Sequence, residues 1–179
     1  MKKFLLCVVF VAVSVASLNA EKLSSEQTNQ LFNDCVTNKN KNSCQKLIDD
    51  GLSSVEQCNE NCNEIGGIYR FAENYQQAFK YFHKACNVSG NMRGCVNLGI
   101  AYNDGEGVKQ NFFEALKFYK RACDLNNSMA CNNLGILYSN GQGVKQNHST
   151  AKQYYGKACD LGEQVGCDNY KILNEQGVK

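Results

Sequence analysis

Apolar residues recur along this chain at helical spacing, in blocks that themselves repeat. Cys95, Leu98, Gly99 and Tyr102 stand at i, i+3, i+4 and i+7, one face of an α-helix. Ala115, Phe118, Tyr119, Ala122 and Cys123 form a second such face. The segment Gly105-Glu-Gly-Val-Lys-Gln-Asn111 between them offers the positive φ that a tight connection needs. The pattern returns 36 residues later: Cys131-Asn-Asn-Leu-Gly answers Cys95-Val-Asn-Leu-Gly, Tyr138 answers Tyr102, and Gly141-Gln-Gly-Val-Lys-Gln-Asn147 answers the loop. Ala78, Ala115 and Ala151 are equivalent, as are Tyr81, Phe118 and Tyr154, and Phe82, Tyr119 and Tyr155. A fixed period of roughly 20–50 residues denotes stacked supersecondary units. Asn111 and Asn147 are candidate N-caps of the second helices. The glycines of the first helices let a partner helix approach closely, at about 1 kcal/mol each relative to alanine.

The cysteines sharpen this picture. The chain has 179 residues, 11 Cys, no Pro and no Trp, with formal charge +2. Residues 1–20 read as a secretory signal peptide: Lys2 and Lys3, an apolar stretch from Phe4, and a small residue at Ala20, after which cleavage is expected. The apolar stretch is too short for a stable membrane anchor. Its removal takes Lys2, Lys3 and Cys7 but no acid, leaving 17 basic and 17 acidic side chains and ten cysteines. An even thiol count in an exported chain points to disulfides, and to a secreted or periplasmic protein. Cys95, Cys131 and Cys167 are spaced by 36 residues, as are Cys123 and Cys159; Cys86 precedes Cys123 by 37. The spacing assigns Cys86–Cys95, Cys123–Cys131 and Cys159–Cys167 across repeat boundaries, and Cys35–Cys44 to the same kind of hairpin. Cys58–Cys62 follows by elimination, and a crossover between the Cys35/Cys44 and Cys58/Cys62 sets stays open.

The fold class expected is all-α, built from helix-turn-helix repeats stapled by disulfides. The expected divisions are the signal peptide 1–20, an N-terminal helical hairpin 21–52, repeats at 53–90, 91–127 and 128–163, and a capping helix 164–179. Cys62-Asn-Glu-Ile-Gly-Gly-Ile-Tyr69 opens the first repeat, whose loop is four residues shorter than the next, and the partner position near Ser54 holds no cysteine. In the cap, Lys171 replaces the glycine of Gly99 and Gly135, acceptable where no second helix follows.

These motifs, Ala-x-x-x-Tyr/Phe-x-x-Ala-Cys, Cys-x-x-Leu-Gly-x-x-Tyr and Gly-x-Gly-Val, resemble Sel-like repeats, relatives of tetratricopeptide repeats. With the inter-repeat cysteine pairs after a leader, the chain is similar to the secreted Helicobacter cysteine-rich proteins, over residues 55–179 well and over 21–52 loosely. The resemblance implies a right-handed α-solenoid with a concave inner face. It also implies two functions: adaptor repeats that bind protein or peptide, and β-lactamase or penicillin-binding activity, as several such proteins are classed.

The residues weigh these two differently. Acylation by a serine enzyme needs a nucleophile, a base and an oxyanion site. Ser43-Cys-Gln-Lys46 and Ser149-Thr-Ala-Lys152 match Ser-x-x-Lys, so Ser43, Lys46, Ser149 and Lys152 are the catalytic candidates; neither Ser-Asp-Asn nor Lys-Thr-Gly occurs. About one such match arises by chance at this composition. His83 and His148 stand on different units, and the cysteine spacing is not that of zinc ligands, so no metal or other cofactor is expected. A near-neutral charge without a basic run speaks against nucleic acid. For binding, Asn97, Ala101 and Asp104, then Asn133, Leu137 and Asn140, then Asn169 lie opposite the Cys/Leu/Tyr face. Carboxamides repeated there can bond a peptide backbone with donor and acceptor together. The expected partner is a protein or peptide, or a β-lactam or peptidoglycan-like ligand, met by a monomer. Asp124-Leu-Asn126-Asn-Ser128 is an acidic-extended Asn-x-Ser sequence on an inter-repeat connector, a glycosylation motif where the modifying system exists.

Overall fold

The computed structural model describes residues 25–49, 58 and 61–179; the leader read in residues 1–20 and the position near Ser54 lie outside them. Among the described residues every regular element is an α-helix: α1 Ser25–Val36, α2 Lys41–Asp49, α3 Cys62–Phe71, α4 Tyr75–Asn87, α5 Met92–Asp104, α6 Phe112–Asp124, α7 Ser128–Asn140, α8 His148–Asp160 and α9 Gln164–Glu175. They fall into two compact units divided between Ala85 and Cys86.

Asparagine starts most of these helices. Asn111 Oδ1 accepts from the Phe113 and Glu114 amides at 3.1 and 3.2 Å, and Asn147 Oδ1 from Thr150 N at 3.0 Å. The first helices are capped alike, by Asn91 from Gly94 N at 3.0 Å and Asn127 from Ala130 N at 2.9 Å. Each such cap is worth about 1 kcal/mol. Gly105 and Gly141 end α5 and α7 in the left-handed conformation, at φ 78° and 69°. Gln110 Nε2 and Gln146 Nε2 then donate to the carbonyls of Asn103 and Ser139, both at 2.7 Å, which closes the Gly-x-Gly-Val-Lys-Gln-Asn loop on the helix it has just left.

In the first unit α1 and α2 pack on each other and on α3. Their shared core is Phe32, Cys35, Cys44 and Leu47 against Ile68 and Ala72. Lys41 of α2 pairs with Glu73 after α3. In the second unit α5 packs on α6, α6 on α7, α7 on α8, and α9 on both α8 and α7.

In the α3–α4, α5–α6 and α7–α8 hairpins a glycine meets an aromatic ring. A Cβ built on Gly66 would fall 2.6 Å from Phe82, on Gly99 2.5 Å from Tyr119, and on Gly135 2.4 Å from Tyr155. One turn later a second ring pair stacks: Tyr69 with Tyr81 at 5.1 Å, Tyr102 with Phe118 at 5.6 Å, and Tyr138 with Tyr154 at 5.5 Å between centroids. Lys171, at the register of the two glycines, is exposed.

Five disulfides join Cys35–Cys44, Cys58–Cys62, Cys86–Cys95, Cys123–Cys131 and Cys159–Cys167. By loop entropy a closure of about ten residues contributes about 2–3 kcal/mol. Cations support the junctions in the second unit. Arg121 Nη1 donates to Asn87 Oδ1 at 3.0 Å, and Lys157 Nζ to the Cys123 carbonyl at 2.8 Å. Both reach the C-terminal end of the preceding repeat's second helix, where the dipole favours positive charge.

Two outcomes are expected. Gly135→Ala should lower the unfolding free energy by about 1–3 kcal/mol in urea with disulfides intact, because the Tyr155 ring must move. Gly67→Ala should raise it by about 0.5–1 kcal/mol, since a Cβ there meets nothing within 4 Å and alanine favours the helix. Effects of the same sign would remove the ring-on-glycine contact as the determinant of helix spacing. Burial also holds the Tyr155 phenol above the ordinary value of 10.0, against a lowering hydrogen bond from Ser139. Tyr102 and Tyr154 shift upward too, by burial first, then by Glu114 and Tyr138 respectively. The unfolded chain therefore loses these protons at lower pH than the fold does, so these three phenols leave stability unchanged below pH about 10 and lower it above. Urea midpoints at rising alkaline pH should show that decline, with a shallower slope in Tyr155→Phe.

Candidate functional site

The first helices of the second unit share an open stripe. On α5 it holds Arg93, Asn97, Ile100 and Asp104; on α7 Met129, Asn133, Ile136 and Asn140. On α9 and its C-cap it holds Val165, Asn169, Ile172 and Gln176. Each residue is exposed or half-exposed, and each row repeats at 36 residues. An asparagine row is thus bordered by an isoleucine row, and on the other side by Arg93, Met129 and Val165.

Two residues expected in this surface are not in it. Ala101 and Leu137 are each only 1 % exposed. A first helix in a stack is covered on two sides, by its own second helix and by helices of the adjoining repeats, and α7 indeed contacts α6, α8 and α9. The stripe left open is therefore narrower than the face opposite the Cys/Leu/Tyr positions. Ile100, Ile136 and Ile172, one residue earlier on each helix, are the apolar members that reach the surface, and Ile172 is half-exposed.

The asparagines differ among themselves. Asn169 Nδ2 donates to Oδ1 of the buried Asn132 at 3.0 Å, tying α9 to α7. Asn97 is also engaged within the protein. The Asn133 carboxamide is half-exposed, with no hydrogen bond among the described residues, so its donor and acceptor face outward. Asp104, exposed at the end of α5, accepts from Asn103 Nδ2 at 2.7 Å.

The catalytic candidates fall in separate places. Ser43 is buried on α2 of the first unit, while Lys46 on the same helix is exposed. Ser149 and Lys152 lie on α8 of the second unit and line one shallow depression of about 390 Å³ with Gly156, Lys157, Tyr170 and Lys179. Lys152 Nζ donates to the Val178 carbonyl at 2.5 Å and sits 5.5 Å over the Tyr170 ring. Its ammonium is thus committed to the C-terminal segment, and no hydrogen bond joins it to Ser149. A general base must stand within hydrogen-bond reach of the proton it takes, and here it is turned elsewhere. His83 lies against Phe79, and His148 Nδ1 is 3.4 Å from Ser139 Oγ. No group of three His, Cys, Asp or Glu able to hold a metal ion exists among the described residues. No described helix is long and apolar enough to cross a membrane.

The Sel1 repeat profile matches residues 62–88, 93–127 and 128–163, more than half of the chain. A curated relative, the "Cytochrome c oxidase assembly factor 7 homolog" of Drosophila melanogaster, is 34 % identical over 61 residues, 34 % of this chain and 23 % of that protein. The "Putative beta-lactamase HcpC" of Helicobacter pylori strain J99 is 53 % identical over 39 residues, 22 % of this chain and 13 % of that one. The chain thus aligns with less than a quarter of either relative. Among solved structures, a Sel1 repeat protein from Oxalobacter formigenes superposes with TM-score 0.67 at 25 % identity, covering 82 % of this chain and 59 % of that one. Cysteine-rich protein B of Helicobacter pylori superposes with TM-score 0.50 at 27 % identity, over 80 % and 92 %. A protective antigen of uropathogenic Escherichia coli with an SLR fold shares the fold, at TM-score 0.68 and 22 % identity over 96 % and 33 %. A 36-residue helical period, glycine-on-ring hairpins and a profile that matches three successive units lead to one assignment: the chain belongs to the Sel1 repeat family.

Proposed function

We propose that the chain is an exported binding scaffold whose second unit holds an extended segment of a partner protein or peptide along α5, α7 and α9. The open stripe carries this reading: Asn133 presents an unused donor and acceptor between an isoleucine row and the Met129 and Val165 positions. A backbone in extended conformation offers alternating amide and carbonyl groups, which one carboxamide can meet at once. Its side chains alternate in direction, so apolar ones can reach the flanking rows. The surface carries no charge between Arg93 at one corner and Asp104 at another, which favours an uncharged segment. The five disulfides and the relationship to a Helicobacter cysteine-rich protein support residence outside the reducing cytosol, reached through the leader.

A second reading is β-lactam hydrolysis or acylation. It draws on the name of the Helicobacter relative and on Ser149 and Lys152 sharing a depression. Against it stands the engagement of Lys152 by Val178.

Two measurements separate the readings. A displayed library of extended peptides should yield sequences with alternating apolar residues, and their affinity should fall at least tenfold in Asn133→Ala with Ile172→Glu, a pair on the surface. The triple Asn97, Asn133 and Asn169 to Ala variant should lose capture as well. Unchanged affinity in the first variant would sink the stripe as the binding surface. With purified oxidised protein, turnover of a chromogenic cephalosporin is expected to equal that of the Ser43→Ala, Ser149→Ala double variant. Turnover lost in that variant would favour the enzyme instead.

A further inference from the structure

Three Asn-x-Ser sequences lie in the second unit: Asn87-Val-Ser89, Asn126-Asn-Ser128 and Asn147-His-Ser149. We propose that Asn126 is an acceptor for N-linked glycosylation and that the fold singles it out from the other two.

The repeats provide an internal comparison. Five residues before the second cysteine of each inter-repeat disulfide stand Gly90, Asn126 and Gly162, with φ of 63°, 62° and 87°. Glycine suits this left-handed conformation and asparagine only tolerates it. Two turns therefore carry the residue the backbone prefers, and the middle one carries a side chain in its place. That side chain does nothing for the fold. The turn is closed by its backbone, with Asn126 N donating to Cys123 O at 2.9 Å and Asn127 N to Ala122 O at 3.0 Å, and by Cys123–Cys131. The Asn126 carboxamide is exposed and makes no hydrogen bond among the described residues.

The competing asparagines are occupied. Asn87 Oδ1 accepts from Arg121 Nη1 at 3.0 Å, and Asn147 Oδ1 caps α8 through Thr150 N at 3.0 Å. Asn127, inside the motif, caps α7. Conjugating Asn87 or Asn147 would turn its carboxamide out of those bonds; conjugating Asn126 breaks none. The hydroxyl of the motif, Ser128 Oγ, has only a long contact of 3.4 Å to Glu163 at the first residue of α7 and is readily released. Leu125 beside Asn126 is 52 % exposed, and a bulky hydrophilic glycan there would cover it.

The reaction needs a lipid-linked oligosaccharide pyrophosphate as donor and an oligosaccharyltransferase. Asn126 Nδ2 attacks the anomeric carbon of the first sugar. The N–C bond forms, the C–O bond to pyrophosphate breaks, the lipid pyrophosphate leaves with the bonding pair, and one amide proton passes to a base of the transferase.

Trypsin puts the three motifs on separate peptides: 85–93, 122–145 and 146–152. The purified oxidised chain is incubated with a solubilised bacterial oligosaccharyltransferase and its lipid-linked donor, with a control acceptor peptide in the same tube. The outcome thus does not depend on export or on the binding surface. Mass spectrometry should find the glycan on peptide 122–145, at least tenfold above the other two, and absent in Asn126→Gln and Ser128→Ala. Asn126→Gly should also lose the glycan while keeping or raising the melting temperature. An unmodified chain beside a modified control overturns the proposal. So do comparable occupancy of Asn87 or Asn147, modification of the reduced, denatured chain alone, or a lowered melting temperature in Asn126→Gly.

Discussion

An aromatic ring resting on the bare backbone of a glycine sets the distance between the two helices of three successive hairpins. At Gly66, Gly99 and Gly135 an added carbon would stand within 2.6 Å of the facing ring. The approach brings the second ring pair into stacking one turn along and lets Leu98 and Leu134 be sealed from solvent. Cores built of such small units are close-packed, so spacing in one hairpin is inherited by the next. The helices pay in propensity for a glycine in mid-helix, and the buried aromatic area more than offsets that loss.

The rest of the architecture manages the joints between hairpins. The joints at Cys86–Cys95 and Cys123–Cys131 each combine a disulfide, a residue with positive φ, a capping asparagine and a cation that returns to the end of the preceding second helix. Asparagine dominates because one side chain serves so many starts: Asn91, Asn111, Asn127 and Asn147 all satisfy amides that would otherwise be left open. The chain uses no proline at these points because glycine and asparagine already end and begin the helices.

Much of this was legible in the residues. The 36-residue period, the helical faces, the caps at Asn111 and Asn147 and the all-α class follow from spacing, because packing and capping act on the near neighbours that spacing describes. The open surface was only half legible. Spacing reveals the asparagine row, but it also puts the buried Ala101 and Leu137 on that face and passes over the isoleucine row. Periodicity identifies the face a helix turns to its own partner; it does not reveal how far the next unit wraps round the other side. The Ser-x-x-Lys matches show the converse limit. Sequence puts Ser149 and Lys152 one turn apart, yet Val178, 26 residues further on, engages the lysine. The bond between Asn132 and Asn169 was equally out of reach, since it joins side chains 37 residues apart.

The disulfides also decide what a protease would leave behind. Every staple in the second unit closes a short connector, so a cut after Arg93, which lies between Cys86 and Cys95, leaves one covalent molecule. The Gly-x-Gly-Val loops are spanned by no disulfide. A cut after the exposed Lys109 or Lys145 would separate the chain into pieces held together by helix packing alone. In the second unit the covalent reinforcement therefore runs between hairpins, and the α5–α6 and α7–α8 hairpins must survive on the fit of ring to glycine.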